Sequence, residues 1–493
     1  MKKKLEREKS LNFLKLHRIQ TKEDLYNCLI NEKILNKYIF ILFVFSACVP
    51  LAILIENIFN RYSINDYNEK NFMLYSFDII SYNYFWYVMI QIIGYLCIIG
   101  SILYIAANFH KKKEKSVTKI SATLFFVFLL FSWCLLAAFF STNISVSILG
   151  NFFRHEGILT YIAYLGFFLC AFLLNDEYFV RKYLVLFSVS ASIVLLPIAI
   201  SNNDLNAFLN LNLGLTNSIF NNSNHSGYYN CLLVMTCGVV YLIYNGNCRF
   251  IKYVLFSLFM YAVFTQLRNG SFGSYFSEAI GLIVLLLLIA IQKKYNYDLY
   301  LSYIRKGTIL LLIFIVISIC YSVYNNWLTA DILGLFPSLK NLISGTKKEQ
   351  DRAGSGRGIL ILRAIQFVKE RPLFGYGPDN LYDEYLKYNI EEDRAHCVPL
   401  NIAASEGIPA AMFYLGALVT FLIGFIRKFR NLNILDIGLF SIGTAYFCSS
   451  LVGNSSYYVT PYFCIIFGLA SGRITRTMDT VQMQNGIRKL FLN

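Results

Sequence analysis

Long apolar segments dominate this chain, and only short polar breaks separate most of them. Runs of roughly 17 to 25 apolar residues, each long enough to cross the hydrocarbon core of a bilayer as a helix, begin near Tyr38, Phe85, Ile120, Ile158, Leu184, Gly227, Ile251, Phe272, Thr308, Pro409, Ile434 and Tyr458. The pattern therefore predicts an all-α, polytopic membrane protein with about twelve transmembrane helices.

One long polar stretch, residues 325–400, interrupts this pattern between the ninth and tenth runs. Within it, Ile359–Glu370 has the composition of a helix that ends before Pro372, and a turn rich in proline and glycine follows. We therefore expect an ordered, partly helical loop. The predicted organisation is an amphipathic N-terminal segment (1–37), nine spans (38–324), the long loop (325–400), three spans (401–473) and a C-terminal tail (474–493).

Composition supports membrane insertion, and the basic residues predict the orientation. Hydrophobic residues make up 56% of the 493 positions and charged residues only 15%, which is not typical of a soluble protein. With a cytoplasmic N-terminus, the short outer loops hold only Arg61, Lys70, Arg154 and Arg268. The short inner loops hold many more basic residues, namely Lys111, Lys112, Lys113, Lys115, Lys119, Arg181, Lys182, Arg249, Lys252, Lys293, Lys294, Arg305, Lys306, Arg427, Lys428 and Arg430. The positive-inside rule then places both termini in the cytoplasm and residues 325–400 outside it.

The remaining composition limits the possible partners and cofactors. The formal net charge of +15 is explained by the inner loops and basic tails, so we expect contact with anionic membrane lipid and no nucleic acid. Residues 1–37 read as a helix on the inner leaflet and not as a removable signal peptide. Most cysteines lie inside apolar runs and Cys397 is alone in its loop, so we expect neither a disulfide nor a zinc site.

Two arginines in short outer loops are candidate functional residues. Arg154 and Glu156 lie between two glycines, directly before the fourth span, where an interfacial anchor is an equally good interpretation. Arg268 stands in the very short turn between the seventh and eighth spans. An arginine so close to hydrocarbon is costly unless it faces protein or a polar cavity, although snorkelling to lipid phosphate remains an alternative.

Further polar residues lie at other outer positions. Asn224 belongs to an asparagine-rich turn before the sixth span, which is weak evidence because such turns often only cap helices. The long loop and the residues that follow it contribute Arg357, Arg363, Arg394, His396, Asn401 and Glu406. Arginine forks bind phosphate well, and a neutral histidine can accept a proton from a hydroxyl.

These motifs, taken in order, resemble the O-antigen ligase and O-antigen polymerase (Wzy-type) superfamily of bacterial membrane glycosyltransferases. The resemblance extends from about Phe131 to Gly416. It rests on Gly150–Gly157, Phe220–His225, the Arg268 turn, Arg357 with the helix and turn that follow, and His396 followed by Glu406–Pro409.

The resemblance implies transfer of an undecaprenyl-pyrophosphate-linked glycan to an acceptor hydroxyl at the outer face of the bacterial cytoplasmic membrane. It implies no cofactor and no required metal, and the acceptor would be a glycan, wall polymer, lipid or protein. It assigns Arg154, Arg268 and Arg357 to the donor pyrophosphate and His396 to activation of the acceptor. The family usually has His-Asn where this chain has His396-Cys397, so Asn401 is a possible substitute for the missing asparagine.

Three alternatives stay open at this stage. Polymerase and ligase activities differ only in the acceptor, which the sequence does not identify. Glu156 is a rival to His396 as the base. A lipid-linked oligosaccharide flippase would also have about twelve spans, but it should place charges inside the spans, whereas here they cluster at the outer rim.

Overall fold

The computed structural model describes residues 32–64, 72–111, 121–152, 154–174, 176–200, 219–220, 222–293, 297–354 and 356–491. The predicted inner-leaflet helix therefore lies mostly outside the described residues. Within these residues the regular structure is α-helical, apart from a 3-10 turn at Phe429–Asn431.

The helices are numbered here in chain order. They are α1 (Glu32–Ile64), α2 (Phe72–Lys111), α3 (Ala122–Phe139), α4 (Ile144–Leu149), α5 (Ile158–Leu173), α6 (Glu177–Val194), α7 (Leu196–Ala199), α8 (Ser223–Ile243), α9 (Arg249–Asn269), α10 (Phe272–Gln292), α11 (Tyr297–Tyr324), α12 (Trp327–Ser344), α13 (Lys347–Arg352), α14 (Arg357–Glu370), α15 (Leu381–Leu386), α16 (Val398–Ser405), α17 (Ile408–Lys428), α18 (Ile434–Ser450) and α19 (Thr460–Phe491).

The protein is a polytopic membrane protein. Among the described residues, 8 helices are long and apolar enough to cross a membrane, namely α1, α2, α3, α8, α9, α10, α11 and α17. The apolar helices α5 and α18 are shorter, and α6 and α19 coincide with the other two predicted runs. The all-helical class is thus confirmed, and the count of twelve spans stays a prediction.

Helix α8 lies at the centre of the bundle. Its span is 94% buried inside the protein, against 22% for α11 and α17. Close packing begins at its first turn, where a Cβ on Gly227 would lie 2.6 Å from the Cβ of Ser271 at the start of α10. The start of α8 is therefore held firmly against its neighbours, and it carries Asn224 and His225.

The predicted long loop is a folded unit containing helices α12 to α15. The predicted helix is present as α14, and it ends before Pro372 as expected. The turn after it pairs with the segment between α16 and α17, where Gly377 N donates to Ser405 O (2.7 Å) and Ile408 N donates to Pro372 O (2.8 Å). Gly407 has φ of 92°, and a Cβ there would lie 2.0 Å from the carbonyl oxygen of Leu373, so this approach requires glycine.

Residues from predicted inner loops and from predicted outer loops meet at different ends of the bundle. Arg473 pairs with Glu177 (3.0 Å), which belongs to a loop predicted to be cytoplasmic, and with Asp436 (2.5 Å), which lies directly after another such loop, in the first turn of α18. The predicted outer loops meet around the start of α8, where Arg154 Nη1 lies 2.9 Å from His225 Nε2. This grouping agrees with the predicted alternation of loops, while the assignment of each end to a side of the membrane stays a prediction.

Candidate functional site

A buried ion cluster joins the turn before α5 to the folded loop. Its members are Arg154, Glu156, Asp379, Asp393 and Arg394. At its centre, Arg394 is 1% exposed, and its Nη2 lies 2.6 Å from Asp379 Oδ1 and 3.1 Å from Glu156 Oε2. Glu156 also accepts hydrogen bonds from Tyr164 (2.5 Å) and Ser455 (3.0 Å). These contacts connect segments far apart in sequence, so loss of Arg394 would leave two buried carboxylates without their cation.

Asp379 fixes the backbone of the turn that carries Arg154. Its Oδ2 accepts hydrogen bonds from the backbone N–H groups of Asn151 (2.6 Å) and Glu156 (3.1 Å). Burial raises the pKa of Asp379 to about 6, although the positive charge of Arg394 opposes that rise. The carboxylate thus holds the turn and the folded loop together.

Arg154 uses its guanidinium fork inside the protein. Nε and Nη2 donate to the two carboxylate oxygens of Asp393 at 2.5 and 2.9 Å, and Nη1 lies 2.9 Å from Nε2 of His225. Burial alone would raise the pKa of Asp393, but the charge and hydrogen bonds of Arg154 outweigh it and lower the pKa to about 2. Because Asp393 neutralises its charge, Arg154 is better placed to orient other residues than to bind pyrophosphate directly.

His396 lies at the edge of a cleft, in a left-handed backbone conformation that is uncommon for residues other than glycine. Its φ is 51°, and Asn401 Oδ1 supports this turn by accepting a hydrogen bond from Ala395 N (3.1 Å). The imidazole Nε2 lies 3.4 Å from Asn454 Nδ2 and 3.8 Å from Glu392 Oε2. Asn401 therefore supports the backbone beside the histidine, and the amide next to the ring comes from Asn454.

Left-handed backbone conformations cluster around this region. His155 (φ 51°) and Asp379 (φ 61°) share this conformation with His396, and the His155 ring stacks on Tyr87 with centroids 3.9 Å apart. Such conformations cost free energy outside glycine and persist where the surrounding structure enforces them, often at functional sites.

The cleft itself contains an arginine, an asparagine and the histidine. Asn224, Arg357 and His396 line it together with the acidic Asp331, and its volume is about 460 Å³. Arg357 donates from Nη1 to Val452 O (3.0 Å) and from Nη2 to Asn224 Oδ1 (3.3 Å). The remaining guanidinium N–H groups and the positive charge of Arg357 can bind an anionic ligand in this cleft.

Arg268 lies near the same end of α8 but outside the lining of the cleft. Its guanidinium carbon is 6.0 Å from the ring centroid of Phe264. The next residue, Asn269, donates to Ser223 O (2.7 Å) and accepts from Ser226 Oγ (2.5 Å). Arg154, Arg357 and His396 thus meet around the start of α8, whereas Arg268 is connected to it through its neighbour.

The other predicted substrate-binding residues lie away from the cleft. Arg363 stacks at 3.5 Å on the ring of Tyr388 and donates to Gln366 Oε1 (2.6 Å). Glu406 faces a separate, mainly apolar pocket of about 130 Å³; it accepts from the Tyr161 hydroxyl (3.1 Å), and burial raises its pKa to about 8. Arg394 and Glu156 lie inside the ion cluster. The substrate-binding roles predicted for Arg363, Arg394, Asn401 and Glu406, and the catalytic role predicted for Glu156, stay predictions.

Several residues of this region were not singled out from the sequence. Asp379 and Asp393 gave no signal of their own, although Asp393 directly precedes Arg394. His225 ends the Phe220–His225 segment that contributes to the family resemblance, but the sequence assigned no role to it. Asn454 lies in the short polar turn between the last two predicted spans, and that turn was the available signal.

Comparison with known proteins agrees with the resemblance inferred from the motifs. Residues 253–415 match the family model described as O-antigen ligase (Wzy_C), which covers about a third of the chain. The match contains Arg268, Arg357 and His396, whereas Arg154 and Asn224 precede it. No curated protein matches the chain. This chain therefore carries an O-antigen ligase (Wzy_C) domain at residues 253–415.

Proposed function

We propose that this protein transfers an undecaprenyl-pyrophosphate-linked oligosaccharide or polysaccharide to an acceptor hydroxyl at the outer face of the cytoplasmic membrane. The observation that carries the proposal is the cleft in which Arg357 and His396 face the same space, beside the start of the buried helix α8. The O-antigen ligase domain supports the class of reaction. Both polymerisation and ligation fit this description, because they differ only in the acceptor.

The proposed reaction is a single displacement. The acceptor oxygen forms a bond to the anomeric carbon while the bond from that carbon to the phosphate oxygen breaks, and the leaving pyrophosphate keeps the electron pair. His396 takes the proton of the acceptor hydroxyl. Arg357 stabilises the negative charge that develops on the pyrophosphate. Inversion at the anomeric carbon follows from this scheme.

The ion cluster has a supporting role in this scheme. Asp393 holds Arg154, and Arg394 holds Asp379 and Glu156, so the segment just before His396 is fixed to the turn before α5. Rigid placement matters because a displacement reaction requires the base and the anion site at a constant separation. Glu156, with 0% exposure and three partners, is better suited to this supporting role than to proton transfer.

A pair of arginines on one helix tests the assignment of the cleft. Replacing Arg357 with alanine is expected to reduce transfer about 100-fold or more, which is typical of removing one donor that stabilises transition-state charge. Arg363→Ala, on the same helix, should keep transfer within a few-fold because that side chain packs on Tyr388. The measurement is the rate of glycan transfer from a synthetic polyprenyl-pyrophosphate oligosaccharide by purified protein. Equal losses in the two variants would contradict the assignment.

A further inference from the structure

The contact between Arg154 and His225 determines which nitrogen of this histidine carries a proton. A guanidinium group can only donate hydrogen bonds, so Nε2 of His225, which lies 2.9 Å from Arg154 Nη1, must accept. Nε2 then carries no proton. A neutral imidazole has one proton, which must therefore be on Nδ1.

That Nδ1–H group is a buried donor without an acceptor. His225 is 4% exposed, and no atom of the described part of the chain accepts a hydrogen bond from Nδ1. A buried donor left unsatisfied is unfavourable, because the group gives up its hydrogen bond to water and gains none in return. The contact with Arg154 fixes the tautomer, yet the Nδ1–H donor that results is not used by the protein. This indicates that a group outside the protein chain accepts its hydrogen bond.

The surroundings of His225 favour a ligand oxygen that carries negative charge. The preceding residue, Asn224, lines the cleft and accepts a hydrogen bond from Arg357. Both residues lie in the first turn of α8, a helix of 21 residues, whose N-terminal end favours anions. The charged or titratable groups around His225 include Arg154, Asp393, His396 and Arg394, together with Tyr458, whose ring centroid lies 5.5 Å from that of the imidazole.

We propose that His225 binds the substrate by donating a hydrogen bond from Nδ1 to a phosphate oxygen of the lipid-linked donor. Asp393 and Arg154 position His225 and fix its tautomer, and Arg357, which donates to the neighbouring Asn224, provides the cation. This inference rests on the proposed function, because it takes the donor pyrophosphate as the ligand of the cleft.

Two substitutions separate this role from a structural one. The amide nitrogen of asparagine can stand near the position of Nδ1, whereas the amide oxygen of glutamine can stand near Nε2 and accept from Arg154. His225→Asn should therefore keep the rate of glycan transfer within about tenfold of wild type. His225→Gln should lower that rate about 100-fold, as is typical when one hydrogen-bond donor to a transition state is lost. A structural role, in which His225 only anchors Arg154, gives the opposite order and would overturn the proposal.

Two measurements keep this test separate from the fate of the proposed function. In protein labelled with ¹⁵N-histidine, the resonances of His225, identified by their loss in His225→Asn, should show a protonated Nδ1 and an unprotonated Nε2. Arg154→Ala should remove this preference. A proton on Nε2 in the wild type would overturn the inference, whether or not the protein transfers glycan.

The second measurement uses polyprenyl pyrophosphate without sugar as the probe. Its binding to purified protein should weaken at least tenfold in His225→Gln and remain near wild type in His225→Asn. Equal binding to wild type and His225→Gln would exclude a phosphate contact. Absence of glycan transfer by the wild type would instead count against the proposed function alone.

Discussion

Replacing His396 with alanine is expected to lower the rate of glycan transfer about 100- to 10,000-fold, the range typical of a lost general base. The reason is that the acceptor hydroxyl loses the group that takes its proton, while the anion site at Arg357 stays intact. The affinity for the polyprenyl-pyrophosphate oligosaccharide should therefore change little. The measurement is the transfer rate of purified protein, with polyprenyl-pyrophosphate oligosaccharide binding measured on the same preparation.

The control for this substitution is Lys369→Ala, which removes an exposed cation from α14 and should transfer at the wild-type rate. The His396→Ala protein should also reach the membrane in normal amount, since the polar contacts of the His396 side chain with described residues, Asn454 and Glu392, are long. Wild-type transfer by the His396→Ala protein would remove this residue from the mechanism. A tenfold or greater loss of affinity for the polyprenyl-pyrophosphate oligosaccharide would show that His396 acts in substrate binding instead.

Glu406→Gln is expected to stabilise the folded protein, and the gain should depend on pH. In the wild type, burial raises the pKa of Glu406 from 4.5 to about 8. The unfolded chain thus ionises this group near pH 4.5, whereas the folded protein keeps the proton until about pH 8. Stability is therefore lost as the pH rises between these values, by about 5 kcal/mol in total at 1.36 kcal/mol per pKa unit.

Glutamine avoids this loss because it never ionises, and it can still accept the hydrogen bond from Tyr161. The unpartnered Oε2 of Glu406 becomes an amide nitrogen, so the number of unsatisfied polar groups is unchanged. Thermal unfolding of both proteins, measured from pH 5 to pH 9, should show a difference that grows up to about pH 8 and then stays constant. The exposed control, Glu391→Gln, should show no such growth. A constant difference, or a destabilised Glu406→Gln protein at pH 8, would contradict a neutral Glu406.

Much of the architecture follows from the sequence because hydrocarbon imposes a simple length rule on helices. Each of the twelve apolar runs coincides with a helix, and the helix expected from Ile359 is present within α14. The rule does not distinguish lipid-facing helices from buried ones. The near-complete burial of α8 depends on contacts such as that between Gly227 and Ser271, which join residues distant in sequence.

The site was predictable only in part, for a related reason. Arginines and histidines near apolar runs can be found by inspection, because their charge is costly there. Their partners are carboxylates and amides that are common in any loop. The sequence therefore suggested Arg154 and Arg394 as ligands of the substrate, whereas the structure pairs them with Asp393, Asp379 and Glu156. Arg357 differs because its nearest partners are a carbonyl oxygen and an amide.

The most direct test of the central claim is whether purified wild-type protein consumes a polyprenyl-pyrophosphate oligosaccharide in the presence of a metal chelator. The reaction should release polyprenyl pyrophosphate and yield a glycan extended or attached through a new glycosidic bond, because protein side chains stabilise the leaving group in the proposed scheme. The predicted result is the same rate with and without chelator. Strict dependence on added divalent metal, or no consumption of the donor with any hydroxyl acceptor, would contradict it.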